Sequence, residues 1–159
     1  MLKYDDIWNP LQEKLSNHLG IEVIQAEGMG DKPEYPFVTI KKISGPIKLG
    51  TTRSSIDNVG VKTITQDIEL VYSITVNAQV IEEAEDTALK AQLYFEGRGY
   101  EGLMVSGITI VDVMPPENRD VFLTVDYERR IGFDVKIRTT WSESYGVDTI
   151  DQVILGGEN

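Results

Sequence analysis

The stretch Tyr127-Glu-Arg-Arg-Ile-Gly-Phe-Asp-Val-Lys-Ile-Arg-Thr-Thr-Trp141 decides the fold, because apolar and polar residues alternate along it without a turn signal. It reads as one very long strand. At about 3.3 Å per residue such a strand extends roughly 50 Å, whereas a compact chain of this size is roughly 40 Å across. The strand must bend or overhang its own domain, and Gly132 is the expected place for a bend or bulge. An overhanging strand leaves backbone groups to be covered, and another copy of the same chain is the simplest cover.

Outward from that strand, Gln66–Ala78 is a second alternating run, with Ile68, Leu70, Tyr72, Ile74, Val76 and Ala78 on one face. It is the natural antiparallel partner: Asp67 and Glu69 on its other face can meet Arg130, Lys136 and Arg138 of the later strand. Between the two, Ile81, Ala84, Ala88, Ala91 and Phe95 recur at helical spacing, with Glu82, Glu83, Glu85 and Asp86 at the positive end of the helix dipole. Alanines on the buried face let that helix come close to a sheet.

Asp5–Leu19 carries Trp8, Leu11, Leu15 and His18 or Leu19 at helical spacing. Pro10 implies either a bend there or a fresh start capped by Asn9. Gly20 stops this helix, Ile21–Gln25 reads as a short strand, and the Gly- and Pro-rich segment 27–36 as a surface loop. A strand follows at Phe37–Ile43 and ends at the turn signal Ser44-Gly45-Pro46. From about 45 to 63 the chain is polar without a period and reads as a long loop or insertion. Gly97–Gly102 is expected as a loop, Val105–Val113 as a strand, Thr149–Leu155 as one more short strand and 156–159 as a frayed end. The order is helix, strand, strand, strand, helix, strand, strand: one α+β domain over 1–159, its mostly antiparallel sheet of long strands packed by two helices.

A hydrophobic content of 41% suits one domain with a genuine core. Without cysteine, the chain has neither disulfides nor thiolate ligands nor a cysteine nucleophile. No segment reaches the length of a membrane span and the first residues lack a secretory pattern, so a soluble protein is expected. A net charge of -11 argues against ordinary phosphate-neutralising nucleic-acid binding. It fits either solubility alone or a pore through which DNA slides without being held.

Catalytic constellations are weak. His18, the only histidine, sits at helical spacing where packing explains it, and no serine lies in a nucleophile elbow. The acids at 82–86 point in several directions and fit a solvated helix start better than a metal or acid–base site. In Gly45-Pro-Ile-Lys-Leu-Gly50 the lysine precedes the second glycine, opposite to a phosphate loop. Gly97-Arg-Gly-Tyr100 fits a helix exit better than a base-stacking turn. Trp141, beside Ser142-Glu-Ser-Tyr145, is either an interface anchor or the last core residue. No catalytic, cofactor or metal residue is assigned.

Three stretches and the order of elements carry a resemblance. Gly20-Ile-Glu-Val-Ile-Gln-Ala26 leads through the Pro-rich loop to Tyr35-Pro-Phe-Val-Thr-Ile40; Val76-Asn-Ala-Gln-Val80 enters the helix; and Tyr127–Ile137 forms the long strand. Together these resemble the neck and tail-terminator proteins of long-tailed bacteriophages. The resemblance implies a non-enzymatic virion protein without cofactors, assembled in the host cytoplasm. It also implies self-association into a ring, typically a hexamer, between tail-tube and head-connector proteins, with DNA passing through the lumen unbound and no membrane involved. The 45–63 segment is then the loop that reaches partners. The candidate contact residues are Lys48, Thr51, Arg53 and Ile56 in that loop, and Arg130, Arg138, Trp141 and Tyr145 on the final strand. The alternatives are a head-closure, connector or tail-tube protein of the same virion, or a small acidic ligand- or metal-binding domain.

Overall fold

The computed structural model describes residues 4–28, 30–122 and 127–147. The expected strand at 149–155 and the frayed end at 156–159 lie outside the described residues. Helix α1 (Tyr4–Leu19) buries Ile7, Leu11 and Leu15 along one stripe and runs through Pro10, so Asn9 does not begin a second helix. His18 is exposed and stacks on Tyr94, ring centroids 4.6 Å apart. Strand β1 (Glu22–Gln25) then pairs in parallel with the start of β2 (Phe37–Ile56).

Strands β2 and β3 (Val61–Ala78) form a long antiparallel hairpin, and β3 pairs without a register shift with β7 (Tyr127–Gly146). Helices α2 (Ile81–Glu96) and α3 (Arg98–Val105) lead from β3 to β4 (Thr109–Val113), and β4 pairs with the far edge of β7. Both β3 and β4 run antiparallel to β7, so they are parallel to each other with β7 inserted between them, a split βαβ arrangement. Two-residue strands β5 (Glu117–Asn118) and β6 (Val121–Phe122) also pair with β7. The sheet order is β1-β2-β3-β7-β4, an α+β domain with a mostly antiparallel sheet of long strands.

All of the apolar residues on the even face of β3, from Ile68 to Ala78, are buried with Ile131, Phe133, Val135 and Ile137 of β7. They form one core with α1, α2 and α3 on the same side of the sheet. Ala84, Ala88 and Ala91 of α2 are buried, as their spacing requires for a close approach to the sheet. The other face of the sheet is polar: Ser73, Thr75 and Asn77 stand opposite Asp134, Gly132 and Arg130.

Three sequence expectations change. Segment 45–63 is not a loop: β2 continues to Ile56, a four-residue connection at Asp57–Gly60 turns the chain, and β3 begins at Val61. Asp57 Oδ1 accepts hydrogen bonds from the backbone N–H groups of Val59 (3.0 Å) and Val61 (2.9 Å), and Gly60 takes the left-handed φ of 79° that the turn needs. The turn signal at Ser44-Gly45-Pro46 is spent in register shifts between Lys42 and Ile47. Gly45 has φ 99°, and a Cβ there would lie 2.6 Å from the Glu69 carbonyl oxygen. Pro46 is tolerated because β1 pairs with β2 only at 37–40, leaving the outer edge of β2 without a partner strand beyond that point among the described residues.

The second change is at Arg98–Val105, expected as a loop followed by a strand start, which is helix α3. Gly97 still ends α2, and Gly99 packs so closely on Tyr94 that a Cβ would lie 2.6 Å from its ring. The expected bulge at Gly132 is also absent from the β3–β7 ladder. That glycine makes room instead: a Cβ would lie 2.6 Å from Arg119 Nη1 and 2.8 Å from Thr75 Oγ1.

Candidate assembly surface

Beyond the helix layer, the outer parts of β2, β3 and β7 continue as a three-stranded arm. In its ladder Lys48, Ile68 and Thr139 lie side by side near the root, and Ile56, Lys62 and Tyr145 near the tip. The part of β3 before Ile68 adds roughly 20 Å of overhang at about 3.3 Å per residue. Opposed residues of an antiparallel ladder share a face, so the arm has one face continuous with the helix-covered side and one continuous with the polar side.

The polar face of the arm neutralises its own charges. Arg53 Nη1 and Nη2 donate to the two carboxylate oxygens of Asp67 at 3.1 and 3.2 Å, and Thr140 Oγ1 donates to Asp67 Oδ1 at 2.8 Å. The hydrogen bonds from Arg53, then Thr140, hold the Asp67 carboxyl below its ordinary range. Glu69 meets Arg138 at 3.2 Å and Lys136 at 3.6 Å across the β3–β7 pair. Of the charge pairing foreseen between these strands, Glu69 follows it, whereas Asp67 turns to β2.

The helix-side face of the arm is less complete. Trp141 stands half-buried at the edge of the core, opposite Gln66. Gln66 is itself buried under an excursion of β2, with Thr52 Oγ1 donating to its Oε1 at 2.6 Å and its Nε2 donating to the Leu49 carbonyl at 2.9 Å. At the arm's root an open apolar groove of about 310 Å³ is lined by Tyr4, Ile7, Pro46, Ile68, Tyr72 and Trp141. The Tyr72 hydroxyl, buried against it, has no hydrogen-bond partner among the described residues, and burial pushes its pKa up.

Six of the eight candidate contact residues are therefore gathered on the arm: Lys48, Thr51, Arg53, Ile56, Trp141 and Tyr145. Ile56 is 63% exposed and Tyr145 44%. Arg138 lies at the root, already paired with Glu69. Arg130 stands apart, opposite Asn77 at the other end of the strand, where its Nε donates to Glu128 Oε1 at 2.6 Å.

At that other end lies a network the sequence did not reveal. Glu128 is buried and takes further hydrogen bonds on Oε2 from Lys32 Nζ (2.8 Å) and the Tyr35 hydroxyl (2.5 Å), both in the 27–36 loop. Burial opposes its ionisation most strongly, but the donors Lys32, Tyr35 and Arg130 together outweigh it and hold the carboxyl at about 2. Nearby, the Arg119 guanidinium crosses over Gly132 to Ser73 Oγ (2.5 Å), Thr75 Oγ1 (3.2 Å) and Asp134 Oδ1 (3.1 Å). Of these residues Lys32, Ser73, Thr75, Arg119, Glu128 and Arg130 line an open cavity of about 460 Å³ on the uncovered face of the sheet.

The α+β sheet of long, mostly antiparallel strands packed by helices is the expected fold, with a strand arm where the resemblance implied a loop, and the sequence matches the family model for phage neck terminator proteins over residues 5–159. The chain belongs to that family. As a family member it is a structural component of the phage virion, acting at the neck. The chain matches no curated protein. The acids at 82–86 are exposed on α2, and among the described residues no group of three or more His, Asp or Glu is placed to hold a metal ion. No helix among the described residues is long and apolar enough to cross a membrane.

Proposed function

We propose that copies of this chain assemble head to tail into a closed ring, a hexamer in keeping with the family resemblance. The ring ends the tail tube and joins it to the head connector, and its work is mechanical rather than catalytic. The arm carries this reading: a ribbon of three strands that stands clear of its own helix layer is suited to lie on a neighbour, and a heterologous contact repeated by rotation closes a ring. The net charge of -11 supports a lumen through which DNA passes, since like charge does not hold phosphates in place.

Sedimentation or native mass measurement tests the reading directly. A ring-sized species is expected at concentrations where a monomer would be the alternative. A strict monomer that also fails to bind tail-tube or connector subunits overturns it.

A further inference from the structure

The arm's charges stand out against the rest of the chain. Residues 41–62 hold Lys41, Lys42, Lys48, Arg53 and Lys62 against Asp57 alone, on a protein whose net charge is -11. Lys41 pairs with Glu27 and Arg53 with Asp67, both toward the polar side. Lys42, Lys48 and Lys62 stand opposite or beside Tyr72, Ile68 and Tyr145 on the helix-side face, with no ion-pair partner among the described residues. On that same face are half-buried Ile64 and Trp141 and the open groove with the unpartnered Tyr72 hydroxyl. Glu143, opposite Ile64, is an acid on this face.

A matching surface lies on the outside of α2. Glu82, Asp86, Leu89, Leu93 and Glu96 fall within one stripe at helical spacing. Leu89 is 52% and Leu93 57% exposed. The three acids have no ion-pair partner among the described residues either. From Glu82 to Glu96 the helix rises roughly 21 Å at about 1.5 Å per residue. From the Lys48 level to the Lys62 level the ladder covers roughly 20 Å at about 3.3 Å per residue. Both surfaces thus carry apolar residues between charges about 20 Å apart, the flanking charges are of opposite sign, and on the arm Glu143 stands between them.

We infer that the α2 stripe of a second copy of this chain docks on the helix-side face of the arm. The second copy's Leu89 and Leu93 sit over Ile64 and Trp141, while its Glu82 and Glu96 face Lys48 and Lys62. The contact repeats on the arm what α2 does at the root in its own chain, laying a helix on the apolar face of β3 and β7. The two mating surfaces differ, so the contact is heterologous; this inference rests on the proposed self-assembly and names its surfaces.

Charge exchange between two variants tests it. Lys48→Glu with Lys62→Glu makes the arm acidic, and Glu82→Lys with Glu96→Lys makes the helix stripe basic. All four positions are exposed or half-exposed, and circular dichroism with a thermal melt checks that each variant is folded. Each variant alone should self-associate at least 10-fold more weakly than the parent in sedimentation velocity, because like charges now meet. An equimolar mixture should regain association, because each basic arm then finds an acidic helix and each acidic arm a basic one. A misfolded reversal is replaced by the milder Lys48→Gln with Lys62→Gln, which must weaken association in the same direction. If the parent assembles and both variants assemble as it does, or if the mixture fails to recover, the contact is overturned and the ring stands. A parent that remains monomeric overturns the contact, and one that also fails to bind tail-tube or connector subunits overturns the ring as well.

Discussion

Glu128 is ionised in a buried place because of what surrounds it. Three donors from two distant parts of the chain converge on it, and they depress its carboxyl to about 2 against an ordinary value of 4.5. A depressed acid contributes stability that is present above about 4.5 and is lost as the pH falls toward 2. Glu128→Gln should therefore lower stability at pH 7 by about 2–3 kcal/mol and flatten the acid limb of a stability–pH curve from chemical denaturation. An unchanged acid limb would show that other carboxylates govern it. Gly132 makes a second residue-level case. Gly132→Ala pushes a methyl group into Arg119 and should cost about 1–2 kcal/mol. In an Arg119→Ala background the cost should shrink, leaving only the Thr75 contact; equal costs in both backgrounds would exclude the coupling.

At the scale of elements, the β2–β3 hairpin is two structures in one ladder. Its root, Leu70–Ala78 of β3, is buried on the helix side and paired on both edges from Val71 to Asn77. Its outer part is exposed, with register shifts at 42–47 and 49–53 and a free outer edge on β2 among the described residues. Backbone amides open locally where few apolar groups hold the ladder. Hydrogen exchange of the isolated chain should accordingly run at least 10-fold faster in residues 48–56 than in Leu70–Ala78. Assembly should then slow exchange in the arm and in α2 more than at the root. Protection confined to the polar face would point to a different contact. The sequence hid this hairpin for a physical reason: a ribbon exposed on both faces has no apolar alternation to display, while its ladder is made by backbone groups that any residue provides.

For the whole molecule, the uneven charge predicts how association responds to salt. A contact between unpaired lysines and acids at a solvent-exposed rim is screened within a Debye length of about 8 Å at physiological ionic strength and about 3 Å at 1 M. Self-association should weaken by at least an order of magnitude between low salt and ~1 M, read by sedimentation at fixed protein concentration. Association that strengthens with salt would mean apolar burial alone drives it. The apolar centre formed by Leu89 and Leu93 should leave a residual affinity at high salt.

What the residues determined alone were the elements whose burial is one-sided. The alternation at Gln66–Ala78 and Tyr127–Trp141 and the alanine stripe of α2 encode which face meets the core, so the α+β class, the pairing of the two long strands and the close helix approach follow from period and side-chain size. That Glu69 shares a face with the basic residues of the final strand follows from the same alternation, whereas the register that sets it opposite Arg138 does not. Tertiary structure decided the rest. It brought Lys32 and Tyr35 to Glu128 and Arg119 over Gly132, contacts between residues far apart in the chain that no local pattern records. It also made 45–63 a strand pair and Arg98–Val105 a helix, because the ladder of β3 and the packing of Gly99 on Tyr94 override weak local preference. Length showed that a strand must bend or overhang; only the placement of the helix layer settled where the cover ends and which lysines are left bare.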